Sequence, residues 1–281
     1  MRPDDRARCR CHRGAAIGDT PVTPAPRTLA GMDTSLISTL SADTVAALGT
    51  TLCVWAHPDD ESYLGAGLLA ALHAADRHTA VVTATLGEAG LSGPAPRPGF
   101  ADLPPPSRAD ELAAALRRLG VSDHHQLGFA DGGCADVDLT TGAAAVQRVV
   151  SAVRPDTVVT FGLDGFTGHP DHVAVGLWTR RALRDLGWRG RLLHPVLTAD
   201  DRAAGREIAD LFGVYSLGEP RICEPAELAV RLELSGDLLD RKLGALRAHH
   251  SQTAVLVDYL GVERYSAWVG VESFVDAALR A

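Results

Sequence analysis

The sequence predicts an α/β fold with a mostly parallel sheet in a single domain. From Thr51 onward, short apolar runs rich in β-branched residues alternate with segments of helical period, which is the pattern of βαβ units. The 281 residues, of which 46% are hydrophobic and 22% charged, suit one such domain with a large core. The sequence contains no internal repeat and no second domain boundary.

The first half of the pattern predicts three strands and two helices. In chain order they are a strand at 51–56, a helix at 62–75, a strand at 78–87, a helix at 107–121 and a short strand at 124–129. Ser107 is placed to cap the second helix, with Asp110 and Glu111 in its first turn. The connection 87–107 holds six prolines and four glycines. We expect so long a loop in a compact domain to be functional or mobile.

The second half continues the alternation up to a less regular end. Its elements are a helix at 140–155 stopped by Pro155, a buried strand at 156–162, a helix at 169–187 and strands at 191–197 and 228–234. The periodicity then predicts helices at 235–250 and 264–279. Together these segments predict a sheet with helices connecting its parallel strands.

Residues 1–48 are expected to form a disordered N-terminal extension, and residues 49–281 the folded domain. The first 31 residues hold six arginines against three aspartates and show no hydrophobic period. Such a composition buries too little apolar area to offset the entropy of ordering. The segment also lacks the apolar region of a secretory signal.

Charge, hydropathy and cysteine content exclude several classes of protein. The formal net charge of −8 gives no support to a nucleic-acid partner. No apolar run is long enough to predict a membrane-spanning helix. The five cysteines are odd in number and scattered, so a disulfide framework is not expected and the reducing cytoplasm is the predicted location.

Two clusters of histidines and aspartates follow two of the predicted strands. His57, Asp59 and Asp60 follow the strand 51–56, and His169, Asp171 and His172 follow the strand 156–162 across a glycine-rich turn. Ligands of parallel sheets bind beyond the carboxyl ends of the strands. The two clusters are therefore expected to lie together.

The donor set of these clusters predicts a catalytic zinc site. His57, Asp60 and His172 can supply two imidazoles and one carboxylate to one cation and leave a coordination position for water. Zinc lowers the pKa of that water to about 7. Asp59 would then be placed to take the proton of the water, and His169 to stabilise the oxyanion or protonate the leaving nitrogen.

A simpler interpretation accounts for each cluster taken alone. Asp59 and Asp60 could cap the following helix, with Glu61 favouring its dipole. His169 and His172 could be surface residues at a helix start that has Pro170 in its first position. Two H-P-D clusters at matching strand ends favour the metal site over this alternative.

These motifs resemble the LmbE-like superfamily of zinc-dependent N-deacetylases, which includes the N-acetylglucosaminyl-phosphatidylinositol deacetylase (PIG-L) and the deacetylases of mycothiol and bacillithiol synthesis. The resemblance rests on "AHPDDE" at 56–61 and "GHPDH" at 168–172. It also includes "TLGEAG" at 85–90, the pattern R..EL..A...LGV at 108–121 and a late K......H.SQ ending at Gln252. Five spaced matches in the right order make it specific.

The resemblance implies a Rossmann-like three-layer fold and hydrolysis of an acetamido group on an amino sugar. It implies that His57, Asp60 and His172 bind zinc and that Asp59 is the general base. It further implies that His169, oriented by Asp171, stabilises the tetrahedral intermediate. Two more residues match substrate-binding positions, Arg108 for the polar head and Asp131 for a sugar hydroxyl. His249, in the last motif, is expected near the pocket without an assigned role.

One position departs from the mycothiol-pathway relatives. They carry a tyrosine, proposed as a general acid, two residues before the first histidine of the second motif, where this chain has Thr167. Either His169 takes over protonation or the chain belongs to another branch. The identity of the general acid, the aglycone and the pathway therefore stay open.

The sequence thus predicts a zinc-dependent hydrolase that removes an acetyl group from an N-acetylglucosamine-type conjugate, with one Zn²⁺ per chain and Fe²⁺ as a possible substitute. The nearest alternative is an amidase for larger acyl groups of a thiol or sugar conjugate, which would use the same residues. A non-haem iron oxygenase is more distant, because its two-histidine, one-carboxylate site usually lies on a β-sandwich-type barrel. The expected partner is a small amino-sugar conjugate, and a homo-oligomer is possible.

Overall fold

One β-sheet organises the chain in the computed structural model, which describes residues 42–90 and 107–279. Its strands are, in chain order, β1 (Thr51–Trp55), β2 (Thr79–Thr83), β3 (Asp123–Gln126), β4 (Thr157–Thr160), β5 (Arg191–Val196), β6 (Leu228–Glu233) and β7 (Val271–Asp276). They lie in the order β3-β2-β1-β4-β5-β7-β6. Within the described residues every strand except β7 runs in the same direction. The predicted mostly parallel sheet is confirmed.

Helices cover both faces of the sheet and complete a Rossmann-like three-layer fold. They are α1 (Ala42–Ala46), α2 (Asp60–Leu64), α3 (Ala66–Ala74), α4 (Arg108–Leu119), α5 (Leu139–Val153), α6 (Pro170–Asp185), α7 (Ala199–Ala204), α8 (Arg206–Phe212), α9 (Gly236–Ala248), α10 (His250–Leu260) and α11 (Val262–Val269). α3 and α4 pack with α9, whereas α5 and α6 pack with each other. Since chain progression across the sheet reverses after β3, the usual right-handed crossovers put these two groups on opposite faces.

Two predicted helices differ from the structure. The predicted helix 62–75 is divided into α2 and α3 at Gly65, where φ is −151°. There the buried Glu272 carboxylate accepts the backbone N–H groups of Gly67 and Leu68, at 2.8 and 3.0 Å, and so satisfies the start of α3. The predicted final helix 264–279 is wrong, because the helix ends before Gly270 and the following residues form β7, which pairs antiparallel with β5 and β6.

The structure describes the end of the predicted extension 1–48 but little of the proline-rich loop 87–107. Helix α1 lies inside the predicted extension 1–48, and Val45 and Leu48 are buried in the main core. Packed structure therefore begins before residue 49. Residues 1–41 and most of the proline-rich loop 87–107 lie outside the described residues, and the predictions made for them stay predictions.

The predicted site lies at the carboxyl ends of two central strands, β1 and β4. β1 and β4 are fully buried and pair in parallel, with Thr51 beside Thr157 and Val54 beside Thr160. The chain leaves β1 toward β2 on one side and leaves β4 toward β5 on the other. This is the point at which parallel sheets open a crevice for ligands. Among the described helices, none has the length and hydropathy needed to cross a membrane.

Candidate metal centre and active site

The loops that follow β1 and β4 bring together the three side chains predicted to bind a metal. His57 Nδ1 lies 3.1 Å from His172 Nε2. Asp60 contributes Oδ1 at 3.4 Å from His172 Nε2 and Oδ2 at 3.8 Å from His57 Nδ1. Residues 115 positions apart in the sequence thus meet at the switch point between β1 and β4.

Hydrogen bonds on the far sides of the two imidazoles fix which nitrogens face each other. His172 Nδ1 donates to the Gly165 carbonyl at 2.9 Å, and the ring stacks on Phe161 with centroids 4.1 Å apart. His57 Nε2 donates to the Asp171 carboxylate at 3.2 Å and lies 3.1 Å from Asp131 Oδ1. In these tautomers both inner nitrogens present lone pairs.

The arrangement of the inner atoms fits a tetrahedral cation site. Two lone pairs 3.1 Å apart repel unless a positive charge lies between them. Zinc–nitrogen bonds of about 2.0–2.1 Å in tetrahedral geometry separate neighbouring ligand atoms by about 3.3 Å, close to this spacing. Asp60 Oδ2 accepts the N–H groups of Ala56 and His57, so Oδ1 is left to face the cation. His57, Asp60 and His172 could therefore hold a zinc ion.

Other histidines and carboxylates are close enough to take part in metal binding. Within the described ranges, ligand atoms lie within 4.8 Å of one another in two sets, His57 with His169 and His172, and His57 with Asp131 and Asp171. Both carboxylates of the second set contact the same nitrogen of His57, on the side away from His172. They are placed to orient the imidazole.

Asp171 is held as an anion at the start of α6. Its carboxylate accepts the N–H groups of Gly132 and Cys134, at 2.8 and 3.0 Å. Burial opposes ionisation, but the hydrogen bonds from His57 and Gly132 outweigh it and lower the pKa of Asp171 to about 2. The negative charge of Asp171 therefore faces His57.

His169 caps α6, and its ring lies beside those of His57 and His172, with centroids 4.8 and 5.1 Å away. Its Nδ1 accepts the Asp171 backbone N–H at 3.2 Å, which leaves the ring proton on Nε2. Burial, and then the nearby His57, lower the pKa of His169 and favour this neutral donor. The prediction that Asp171 orients His169 stays a prediction; in the structure the Asp171 backbone N–H contacts His169, and the Asp171 carboxylate contacts His57.

Asp59 occupies a strained backbone conformation directly beside the cluster. Its φ of 112° is rare for a residue other than glycine. Glu61 accepts its backbone N–H at 3.0 Å, and Arg108 Nη2 lies 3.2 Å from its Oδ2. Burial, and then repulsion from Asp60, raise the pKa of Asp59 to about 7, against the opposing charge of Arg108.

The two predicted substrate-binding residues lie near the site but already contact protein groups. Arg108 donates to the carbonyl oxygens of Pro58 and Gly87 as well as to Asp59. Asp131 contacts His57 through Oδ1 and accepts the Ala89 N–H through Oδ2, at 2.9 Å. In this structure they contact Asp59 and His57, and their contact with substrate stays a prediction.

A buried acid–histidine pair behind Asp59 escaped the sequence interpretation. His249 Nε2 lies 2.7 Å from Glu61 Oε1, and the side chains are fully buried. The sequence predicts for Glu61 only an interaction with the helix dipole and assigns no role to His249. The late K......H.SQ motif indicates His249 but not its partner. A second pair joins the same motif to α4, where the Glu111 carboxylate accepts the Ser251 N–H at 2.8 Å.

Thr167 is the position at which the sequence departs from the pattern that the resemblance predicts. Its hydroxyl lies 3.2 Å from His172 Nδ1, the nitrogen that also contacts the Gly165 carbonyl. Thr167 also lines a cavity of about 420 Å³ beside Asp60 and His172. We call this space the side cavity; residues of its wall include Tyr63, Phe166, Ile208, Val214, Tyr215 and Trp268.

Comparisons with known proteins agree with the geometry. The family model described as "PIG-L: GlcNAc-PI de-N-acetylase" matches residues 52–183. The 1D-myo-inositol 2-acetamido-2-deoxy-alpha-D-glucopyranoside deacetylase of Actinosynnema mirum is 34% identical over 253 residues, which cover 81% of this chain and 89% of the relative. The protein of the same name from Streptomyces scabiei is 39% identical over 262 residues, covering 75% and 78%.

Solved structures share the fold at lower identity. A conserved protein of Thermus thermophilus has a TM-score of 0.55 and 24% identity, over 82% of this chain and 96% of its own. The zinc-inhibited form of a teicoplanin deacetylase has a TM-score of 0.53 and 18% identity, over 81% and 98%. The sequence relatives establish the family, because they are 34% and 39% identical to this chain over 81% and 75% of its length. This chain belongs to the PIG-L family of de-N-acetylases, the LmbE-like superfamily that its motifs resemble.

Proposed function

We propose that the protein is a metal-dependent N-deacetylase that removes the acetyl group from an N-acetylglucosamine-type conjugate. The observation that carries this proposal is the pair of inner imidazole nitrogens, 3.1 Å apart, with Asp60 Oδ1 beside them. Family membership supports the reaction class. The names of the curated relatives support an amino-sugar conjugate as substrate.

The proposed ligands of the metal are His57, Asp60 and His172. When bound there, zinc supplies a Lewis acid for the amide carbonyl and lowers the pKa of a water molecule to about 7. Fe²⁺ accepts the same donors, so the identity of the metal is a matter for metal analysis. Asp171 and Asp131 hold His57 in the tautomer that binds a cation.

The proposed general base is Asp59, and His169 stabilises the oxyanion. Asp59 accepts a proton from the attacking water, whose oxygen forms a bond to the carbonyl carbon. The Nε2–H of His169 donates to the carbonyl oxygen as negative charge develops there. The C–N bond then breaks with its electron pair on nitrogen, and the nitrogen takes the proton that Asp59 carries. The products are acetate and a free amine.

The polar groups around Asp59 and Arg108 suit the hydroxyls of the proposed sugar. A larger acyl group on the same nitrogen would be hydrolysed by the same residues.

The described cysteines, Cys53, Cys134 and Cys223, are buried and free, which supports a reducing cytoplasmic location.

The test is an amine-release assay with controlled metal content. Purified protein is stripped with chelator, reloaded with Zn²⁺ or Fe²⁺, and incubated with N-acetylglucosamine conjugates that include 1D-myo-inositol 2-acetamido-2-deoxy-α-D-glucopyranoside. We expect fluorescamine-reactive amine from the reloaded protein and none from the stripped protein. His172→Ala should abolish release, whereas His78→Ala, at a half-exposed surface position, should not. Release that survives complete metal removal would contradict the proposal.

A further inference from the structure

The side cavity is larger than an acetyl group requires. Its volume is about 420 Å³, whereas an acetyl group consists only of a carbonyl and a methyl group. Pockets of about 300 Å³ and more enclose most of the surface of a drug-sized ligand. The cavity therefore has room for a group with many more atoms than acetyl.

Most of the cavity wall is apolar and aromatic. Phe166 and Tyr215 contact each other edge to face, with ring centroids 6.2 Å apart. Tyr63 and Trp268 form a second aromatic pair, also with centroids 6.2 Å apart. Ile208, Val214 and Val269 add aliphatic surface. Such a wall gains free energy by burying an apolar occupant and offers few partners for the hydroxyls of a polyol.

Away from the metal cluster, the charged side chains at the wall are already paired. The pairs are Asp201 with Arg231 at 2.6 Å, Arg202 with Glu219 at 2.8 Å, and Arg264 with Glu207 at 2.8 Å. Arg202 also lies over the Tyr215 ring, 4.8 Å from its centroid. Among the described residues its buried Nη1 has no acceptor, which leaves one donor for an oxygen atom of the occupant. The wall therefore carries little unpaired charge.

The backbone is strained where the cavity meets the metal cluster. Phe166 has a φ of 62°, which is unusual for a bulky residue. Its N–H donates to Asp164 Oδ2 at 3.3 Å, and the next residue, Thr167, contacts His172. Strain of this kind persists where surrounding contacts enforce it and is common at ligand sites. Here the strained residue lines the cavity together with Thr167 and His172.

The geometry of an amide indicates which part of the substrate, the acyl group or the sugar, faces the cavity. A secondary amide is trans, so the groups on its nitrogen and on its carbonyl carbon extend in opposite directions. The two residues predicted to contact the sugar, Arg108 and Asp131, lie outside the cavity wall, next to Asp59 and to the outer nitrogen of His57. With the sugar on that polar side, the acyl group extends toward the cavity.

We propose that the side cavity is an acyl-binding pocket and that the enzyme hydrolyses N-acyl amino sugars with apolar acyl groups longer than acetyl. This inference rests on the proposed amide hydrolysis. The reaction is the same: water oxygen joins the carbonyl carbon, the C–N bond breaks, and a longer carboxylate leaves with the free amine. Burial of the added methylenes stabilises the bound acyl group.

The first test compares substrates that differ only in the acyl group. The zinc-loaded protein is assayed for amine release from N-acetyl-, N-hexanoyl- and N-benzoyl-glucosamine. We expect kcat/KM for the hexanoyl compound to exceed that for the acetyl compound by at least about tenfold. A fourth substrate, octyl N-acetyl-β-glucosaminide, carries the apolar group on the aglycone. A gain with this compound alone would overturn the proposal, because the cavity would then take the aglycone.

The second test fills the cavity. Val214→Trp places a large ring in the cavity, and Ala267→Phe does the same from another part of the wall. Either substitution should lower the hexanoyl-to-acetyl ratio of kcat/KM by at least about tenfold. The matched control is Leu211→Trp, because Leu211 is 52% exposed on the neighbouring helix α8 and outside the wall. An unchanged ratio in both cavity variants would overturn the proposal.

Binding measurements separate this proposal from the proposed function. Calorimetric titration of N-hexanoyl-glucosamine into the zinc-loaded protein should show tighter binding than N-acetylglucosamine, and Val214→Trp should remove the difference. This result without amine release would support the acyl pocket and contradict the hydrolase. Release from the acetyl compound, without a kinetic or binding advantage for hexanoyl, would leave the hydrolase standing and overturn the pocket. Absence of both release and binding would overturn both.

Discussion

Glu61 connects His249 on one side to the backbone of Asp59 on the other. Its Oε1 lies 2.7 Å from His249 Nε2, and its Oε2 accepts the Asp59 N–H at 3.0 Å. Although burial opposes both charged forms, mutual attraction raises the pKa of His249 and lowers that of Glu61. The pair therefore supports the strained turn that holds the proposed base.

We expect His249→Ala to destabilise the protein substantially. Removing one partner leaves the buried Glu61 without compensation, which typically costs about 3–5 kcal/mol. The matched control is His250→Ala at the neighbouring exposed position, which should change stability by no more than about 0.5 kcal/mol. Urea unfolding of the two variants measures the difference. Equal stabilities would mean that the pair contributes nothing to the fold.

Asp59→Asn should separate the base from the metal. Asparagine tolerates a positive φ better than most residues, so the turn at 112° should persist. An amide cannot accept the proton of the attacking water, and we expect kcat to fall by about 10²–10⁴ with metal content unchanged. Amine release and elemental analysis on the same sample test this. Near-normal turnover at full metal occupancy would mean that another group is the base.

The metal cluster could be predicted from sequence because its residues lie at strand ends. His57 and His172 each occur within a few residues of a short apolar strand, and parallel pairing of β1 with β4 makes those ends neighbours. Local patterns were also sufficient for α4, where Ser107 accepts the Asp110 N–H as the capping motif predicted.

What the sequence did not reveal depends on contacts between distant segments. Glu61 and His249 are 188 residues apart, and neither lies in a pattern that identifies the other as its partner. The side cavity combines residues from α2, α8 and α11 with the loop before α6. The apolar run around Gly270 has a helical spacing. The residues after Gly270 nevertheless form strand β7, because they pair with β5 on one side and β6 on the other. Each of these features requires tertiary structure.

Asp171→Asn should weaken metal binding while leaving all three proposed ligands in place. The carboxylate accepts a hydrogen bond from His57 Nε2, and an amide can present its NH₂ group there and favour the wrong tautomer. Loss of such an orienting group typically costs about 10–100-fold in metal affinity. Competition with a chromophoric chelator measures the zinc affinity of this variant and of Asp185→Asn, an exposed control on the same helix. Equal affinities would show that Asp171 does not orient the ligand.

Asp201 should make stability depend on pH in the acid range. Burial opposes its ionisation, but hydrogen bonds from Arg231 and Thr198 prevail, and the pKa of Asp201 in the fold is lowered. A carboxyl group whose pKa is lower in the folded than in the unfolded state stabilises the protein at pH values above its unfolded pKa of about 3.9. This stabilisation is lost as the pH falls through the pKa of the folded state. Asp201→Asn keeps an acceptor for the Thr198 hydroxyl but removes the charge opposite Arg231. The stability deficit of this variant should therefore be largest at pH 7 and shrink below about pH 4. Urea unfolding at pH 7, 5 and 3.5 tests the trend, and a deficit that stays constant across these values would exclude ionisation of Asp201 as its cause.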